Sequence, residues 1–212
     1  MPVKQVNPYK MGKVTISRSN MKIGRTMNIS LPPIVTCRKN VPCAELCYAM
    51  KAYRMYPGVR ASWDGNLAAY KQHASGYFWQ IHQEIKRAKS VKVFRWHVGG
   101  DIPDMEYLLG MITLAAANPA VEFLCFTKRY ELLAGYVADG SRFPKNLKIV
   151  VSMWPGLKVP DGLERFPKAW MRDTKCLDKR IPAGARKCPG KCTACGLCWK
   201  LPAGKSVVFQ LH

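Results

Sequence analysis

Four cysteines fall within eleven positions of the stretch KCPGKCTACGLCWK: Cys188, Cys192, Cys195 and Cys198. Thiols at this density are either oxidised in pairs or used as thiolate ligands. The chain carries nine cysteines, an odd number, and its opening MPVKQVNPYKMGKV is polar and basic without an apolar secretory segment. Ligation in a reducing compartment, the cytoplasm, is the expected chemistry. A Cys-x2-Cys-x2-Cys run lets one loop reach three corners of a cubane iron–sulfur cluster. Structural zinc more often takes two Cys-x2-Cys knuckles with a longer spacer. The spacing therefore favours iron–sulfur, with a zinc staple as the alternative. Gly190 and Gly196 relax the backbone where amides must turn towards sulfur. Cys176 is an alternative to Cys188 as the fourth ligand.

A second group, Cys37, Cys43 and Cys47, lies in TCRKNVPCAELCYA. Three thiolates on a [4Fe-4S] cluster leave one iron open to a substrate or cofactor, the counterpart of the open position at a catalytic zinc. Three ordinary thiols, or a site completed by another residue, is the competing reading. One cluster or two is left open. Tyr48, next to Cys47, is placed to pack over the first group. Cys125, in the apolar run VEFLCFT, reads as a core thiol.

Two further residues carry chemistry near strand ends. His97 is a candidate proton donor or substrate contact. Lys128 is a candidate partner for a phosphate or carboxylate. Trp79, Trp96, Trp154, Trp170 and Trp199 are available for stacking on bases, although core packing is the commoner use. No serine nucleophile elbow, phosphate-cradling P-loop or evident carboxylate pair occurs, which argues against hydrolases.

The elements that must position these residues alternate. LPPIVTC predicts a short strand ending at Cys37. Residues 64–88 predict a helix with an apolar stripe of Leu67, Tyr70, Phe78, Ile81 and Ile85, interrupted near Gly76. Strands are predicted at 91–98, 120–127 and 146–154. Helices are predicted at 103–118, capped by Asp101 or Asp104, and at 129–140, closed by Gly140. Residues 155–186 read as a long loop, and 205–212 as a final strand. Strand–helix alternation from about residue 33 to 154 predicts right-handed β-α-β units in a parallel sheet or partial barrel. Sites in such folds gather at the carboxyl ends of the strands, where Cys37, Gly99-Gly100-Asp101, Thr127-Lys128 and Met153-Trp154 all fall. Two regions are expected: a partial α/β barrel over residues 1–160 and an irregular cysteine-rich segment over 161–212 packed on it.

The 212 residues hold 34 Lys and Arg against 13 Asp and Glu, a net charge of +21. A surplus of that size is relieved by a polyanion, and nucleic acid is the expected partner. The stretches MKIGRT, KAYRMYPGVR and KRIPAGARKCPGK are candidate phosphate contacts. No run of eighteen apolar residues exists, so no membrane span is expected.

Three cysteines after a first strand, followed about fifty residues on by HVGGD, resemble the radical S-adenosylmethionine enzymes. That resemblance implies that Cys37, Cys43 and Cys47 hold a [4Fe-4S] cluster, that Gly99, Gly100 and Asp101 line S-adenosylmethionine, and that the late quartet holds an auxiliary cluster. The spacing departs from the usual x3 and x2, being x5 and x3, and Asp101 stands for glutamate. CAELCYA, RWHVGGDI, FLCFTKR and CTACGLCW together resemble a phage-encoded family, gene product 88, which implies phage origin and a bacterial host cytoplasm. The resulting expectation is an α/β fold, a truncated partial (β/α) barrel of radical-SAM-like type with a cysteine-rich C-terminal iron–sulfur segment. As a function it implies an iron–sulfur protein, with a radical S-adenosylmethionine-type enzyme acting on nucleic acid or a nucleotide as the leading expectation. The alternatives are a non-catalytic iron–sulfur protein that binds DNA or RNA, and a zinc-stapled nucleic-acid-binding module.

Overall fold

The computed structural model describes residues 12–19, 23–88, 90–172 and 179–210. Seven strands form one sheet in the order β1-β2-β3-β4-β5-β7-β6, and every pairing is parallel. The strands are β1 (Met27–Ile29), β2 (Val93–Trp96), β3 (Glu122–Thr127), β4 (Leu147–Ser152), β5 (Lys168–Arg172), β6 (Arg186–Lys187) and β7 (Ser206–Gln210). The runs VFRW, EFLCFT and LKIVVS are almost continuously apolar because a central parallel strand is covered on both faces.

Alternate residues of each strand enter two separate cores. Ile29, Phe94, Trp96, Phe123, Cys125, Ile149 and Val151 face one core, together with the helices. These helices are α2 (Pro57–Gln72), α3 (Ala74–Arg87), α4 (Met105–Ala116) and α5 (Tyr130–Val137). Each offers a buried stripe, such as Tyr77, Phe78, Ile81 and Ile85 of α3. Burying a side chain like Phe94 or Phe123 contributes roughly 1.5–3 kcal/mol. Leu124, Val150, Ala169 and Val207 point the other way and pack against Cys198, Trp199 and Leu201. One face of the sheet is thus roofed by helices and the other by the cysteine-rich segment.

The handedness of parallel crossovers accounts for this division. From β1 to β5 the chain steps across the sheet in one direction, and right-handed connections put their helices on one face. From β6 to β7 it steps back, so the same handedness sends that connection over the opposite face. The returning connection carries α6 (Cys192–Cys195) and a 3₁₀ turn, Leu197–Lys200.

Several local expectations change. Residues 31–37 form turns, with Ile34 at φ 69°, and the first strand lies earlier at Met27–Ile29. The pair Pro32-Pro33 removes two donors and cannot sustain a ladder. The predicted helix 64–88 is two helices that part at His73, whose side chain caps α3 by accepting from the Gly76 amide at 2.9 Å. Gly76 itself lies inside α3. A further helix, α1 (Tyr48–Met55), precedes them, and Pro57 occupies the first turn of α2, where its missing N–H costs nothing. Residues 155–186 are no plain loop, because they supply β5 and the start of β6. Residues 161–212 therefore build part of the sheet as well as its cover. Asp104 is the cap of α4, accepting from the Tyr107 amide at 2.8 Å. Among the described residues no helix is long and apolar enough to cross a membrane.

Candidate functional site

The first three cysteines lie on a loop tied to the carboxyl ends of β1, β2 and β3. The Leu31 amide donates to the Gly99 carbonyl at 3.0 Å, joining the strand exits. The Thr36 hydroxyl donates to the Pro32 carbonyl at 2.8 Å and accepts from the Asp101 amide at 3.1 Å. The Asp101 carboxylate is buried and accepts three bonds: from the Ile102 amide at 2.8 Å, the Thr127 hydroxyl at 2.6 Å and the Lys128 amide at 2.9 Å. Arg129 completes the clamp by donating to the carbonyls of Thr36, Ile102 and Pro103 at 3.4, 2.5 and 2.6 Å. Neighbouring segments with no sequence proximity are therefore fixed around one carboxylate.

On this frame Cys37, Cys43 and Cys47 are all half-buried. Burial pushes the Cys37 thiol up to about 12, and the charges of Asp101, Cys43 and Cys47 add to the shift. Burial also raises Cys43, while the Lys128 ammonium opposes it by its charge and by a hydrogen bond. Lys128 also lies 5.7 Å from the centre of the Trp154 ring. Tyr48 is 56% exposed, yet its hydroxyl donates to the Val98 carbonyl at 2.6 Å.

The second group sits on the opposite face of the sheet. Cys188 is anchored by its amide to the Val208 carbonyl at 2.9 Å, and Gly196, in a left-handed conformation, ends α6 between Cys195 and Cys198. Burial raises the Cys198 thiol to about 12; Arg95 opposes this, and Cys188, Cys192 and Cys195 reinforce it. Cys192 is raised by the same causes in the same order, with Arg95 again opposing burial. Cys195 is exposed. The indole N–H of Trp199 is buried and has no partner among the described residues.

Within each sequence cluster the thiols act on one another, Cys43 and Cys47 on Cys37, and Cys188, Cys192 and Cys195 on Cys198. Arg95 acts by its charge on residues of both neighbourhoods. It leaves β2 on the same face as Val93, and its guanidinium lies 4.2 Å from the centre of the Phe126 ring. Its charge opposes the burial that raises Tyr48 beside the first group, and opposes the rise of Cys192 and Cys198 in the second.

As candidate ligands, buried thiols of raised pKa hold their protons until a strongly binding centre displaces them. Among the described residues no three Cys, His, Asp or Glu groups are arranged to hold a single metal ion. The donors gathered in each sequence cluster are thiols alone.

The other sequence candidates are placed as follows. Gly99, Gly100, Asp101 and Lys128 all lie beside the first cysteine loop. Packing alone demands both glycines: a Cβ on Gly99 would come within 2.4 Å of the Trp63 ring, and one on Gly100, at φ +79°, within 2.6 Å of the Leu31 carbonyl oxygen and the Thr36 hydroxyl. His97 is buried on the helical face, with Nε2 3.3 Å from the Tyr107 hydroxyl and Nδ1 3.7 Å from Cys125. Burial depresses it to about 3, with Arg95 adding, so it is neutral near pH 7. Trp96, Trp170 and Trp199 are buried, while Trp79 is exposed. Cys176 lies outside the described residues. Thr36, Arg95 and Arg129 escaped the sequence reading. Only Arg95 left a signal, as a cation in the apolar alternation of VFRW.

No curated protein and no solved structure matches the chain significantly. A family model, gene product 88, matches residues 4–155. That span holds the first cysteine loop, the Gly99-Gly100-Asp101 turn, Lys128 and strands β1 to β4, and it stops before the late quartet. Because it covers well over half of the sequence, the chain belongs to the gene product 88 family.

Proposed function

We propose that this member of the phage family is an iron–sulfur protein of the bacterial host cytoplasm. Cys37, Cys43 and Cys47 would hold one [4Fe-4S] cluster, and Cys188, Cys192, Cys195 and Cys198 a second. The observation that carries this reading is the convergence of the three-cysteine loop with Asp101, Thr127 and Lys128 at the carboxyl ends of sequential parallel strands. A sheet wound in sequence order with helices on one face is an arc of a (β/α) barrel, and we read the fold as a truncated barrel whose inner face is covered by the second cysteine group. A four-iron cluster held by Cys37, Cys43 and Cys47 would supply the chemistry of one-electron reductive cleavage of S-adenosylmethionine. The chain's own residues have defined parts. Lys128 supplies positive charge beside Cys43, Asp101 fixes the loop, and Tyr48 covers the Cys47 side. The substrate class is nucleic acid or a nucleotide, in keeping with the net charge of +21.

A second reading is favoured by Gly99 and Gly100. Their neighbours are Trp63, Leu31 and Thr36, so close packing accounts for them without a cofactor. On that reading the protein binds DNA or RNA and its clusters serve as structure or redox sensor.

Iron and acid-labile sulfide analysis with electron paramagnetic resonance of the anaerobic, reduced protein tests both. About eight irons are expected, falling to about four when Cys37, Cys43 and Cys47 are changed to Ala together, and likewise for Cys192, Cys195 and Cys198. A signal that changes on adding S-adenosylmethionine, and only when the first group is intact, supports the enzyme. An unchanged signal favours the binding protein. Zinc in place of iron overturns the cluster assignment.

A further inference from the structure

Beside the second cysteine group an open groove of about 570 Å³ runs between β6 and the α6 turn. Arg186, Lys200 and Lys205 line it together with the half-buried Leu197 and the exposed Cys195, while Leu201, 1% exposed, belongs to the core. No carboxylate lines it. Among the described residues the chain makes three ion pairs, and these engage Arg18, Arg87 and Arg129. The groove's three cations belong to none of them.

We propose that this groove binds single-stranded nucleic acid, with Arg186, Lys200 and Lys205 on successive phosphates and a base against the half-buried Leu197. Charge complementarity selects a polyanion. The apolar surface at Leu197 selects an unpaired strand, whose bases are free to turn inward, over a duplex, whose bases are hidden in the stack. The concavity distinguishes this site from the diffuse basic surface, because cations converging on one channel track a backbone while scattered ones merely attract it. The second cysteine group would then lie directly beneath the bound strand. This deepens the nucleic-acid half of the proposal above and rests on it, while standing apart from the question of which metal the cysteines hold.

The test is fluorescence anisotropy of a short labelled single-stranded DNA titrated with the anaerobically purified full chain between 50 and 200 mM salt. Two triple variants are compared: Arg186→Gln, Lys200→Gln and Lys205→Gln in the groove, and Lys71→Gln, Lys86→Gln and Lys92→Gln on exposed positions elsewhere. Both remove the same net charge. Three lost phosphate contacts should lower the salt slope by about 2 for the groove variant, at about 0.7 per contact on single strands, and leave the control near wild type. Single Lys200→Gln and Lys205→Gln variants, each read by melting temperature for intact folding, should each lower it by about 0.7. Equal losses in both triples overturn the groove and leave a diffuse field. Tighter binding of a duplex than of the single strand also overturns it. Failure of any oligonucleotide to bind overturns this inference and the nucleic-acid reading together, whereas loss of the iron–sulfur reading leaves the slope comparison intact.

Discussion

At the scale of single residues, burial decides more than residue type. His97 has its pKa depressed from 6.5 to about 3. Between those values the unfolded chain holds a proton that the native state does not, so stability is full above pH 6.5 and is lost as pH falls towards 3. The loss from this one group is on the order of 5 kcal/mol at the acid end. A His97→Asn variant suits the residue's φ of 52° and cannot titrate, so its urea midpoint should fall less steeply with acid. Gly99→Ala should cost about 1–3 kcal/mol by overpacking against Trp63. Pairing it with Trp63→Leu should restore part of that loss in a melting curve, whereas Gly100→Ala finds backbone in its way and should have no such rescue. Arg95 opposes burial at both Cys192 and Cys198. Arg95→Gln should therefore raise these thiols further and slow their alkylation by iodoacetamide in metal-free protein at a fixed alkaline pH, with Arg95→Lys retaining the rate. Faster alkylation of the Gln variant would show that Arg95 acts as a cover instead of a charge.

At the scale of elements, the sheet's second face depends on a short piece of chain. Trp199 is 6% exposed and packs with Leu124, Val150 and Val207. Trp199→Ala should cost about 3–5 kcal/mol. Its sharper consequence should appear in metal analysis, with the late group emptied and the early group, anchored by Asp101 and Thr36, retained. Equal loss from both groups would refute their independence. The central strands and α4 and α5 were legible because each carries an apolar run or a repeating stripe, with a cap at Asp104 for α4. The cysteine groups were legible from spacing. β5, in KAWMR, was hidden between prolines and charges, because its apolar partners are supplied by β4 and β7 instead of its own sequence. The first strand was misplaced because Ile34 and Val35 look like strand residues, yet both are exposed in a turn. The break at His73 depends on a side-chain cap that no periodicity reveals. The clamp of Thr36, Asp101, Thr127 and Arg129 joins residues up to 93 positions apart, a distance over which local patterns say nothing.

At the scale of the whole molecule, 34 cations face 13 anions with three ion pairs among the described residues. Self-repulsion of this kind is screened within about 10 Å at 0.1 M salt. The melting temperature should therefore rise as sodium chloride increases from about 0.05 to 0.5 M, the opposite of what a protein held by surface ion pairs would show. Exposed apolar side chains are concentrated too: Ile34, Val35, Leu46, Tyr48, Met55 and Tyr56 all belong to the first cysteine loop and its flanking helix turn. The order of the strands carries one more consequence, in time rather than in space. β6 is made before β7 but pairs with β7 alone, because β7 is the strand that reaches β5. During synthesis β6 must wait, unpaired, while the cysteine segment and then β7 leave the ribosome. The late thiols thus emerge before β7, which completes with Val207 the surface that shelters them, and the interval between emergence and strand insertion is when the nascent chain is open to thiol oxidation and, on the reading proposed above, to cluster delivery.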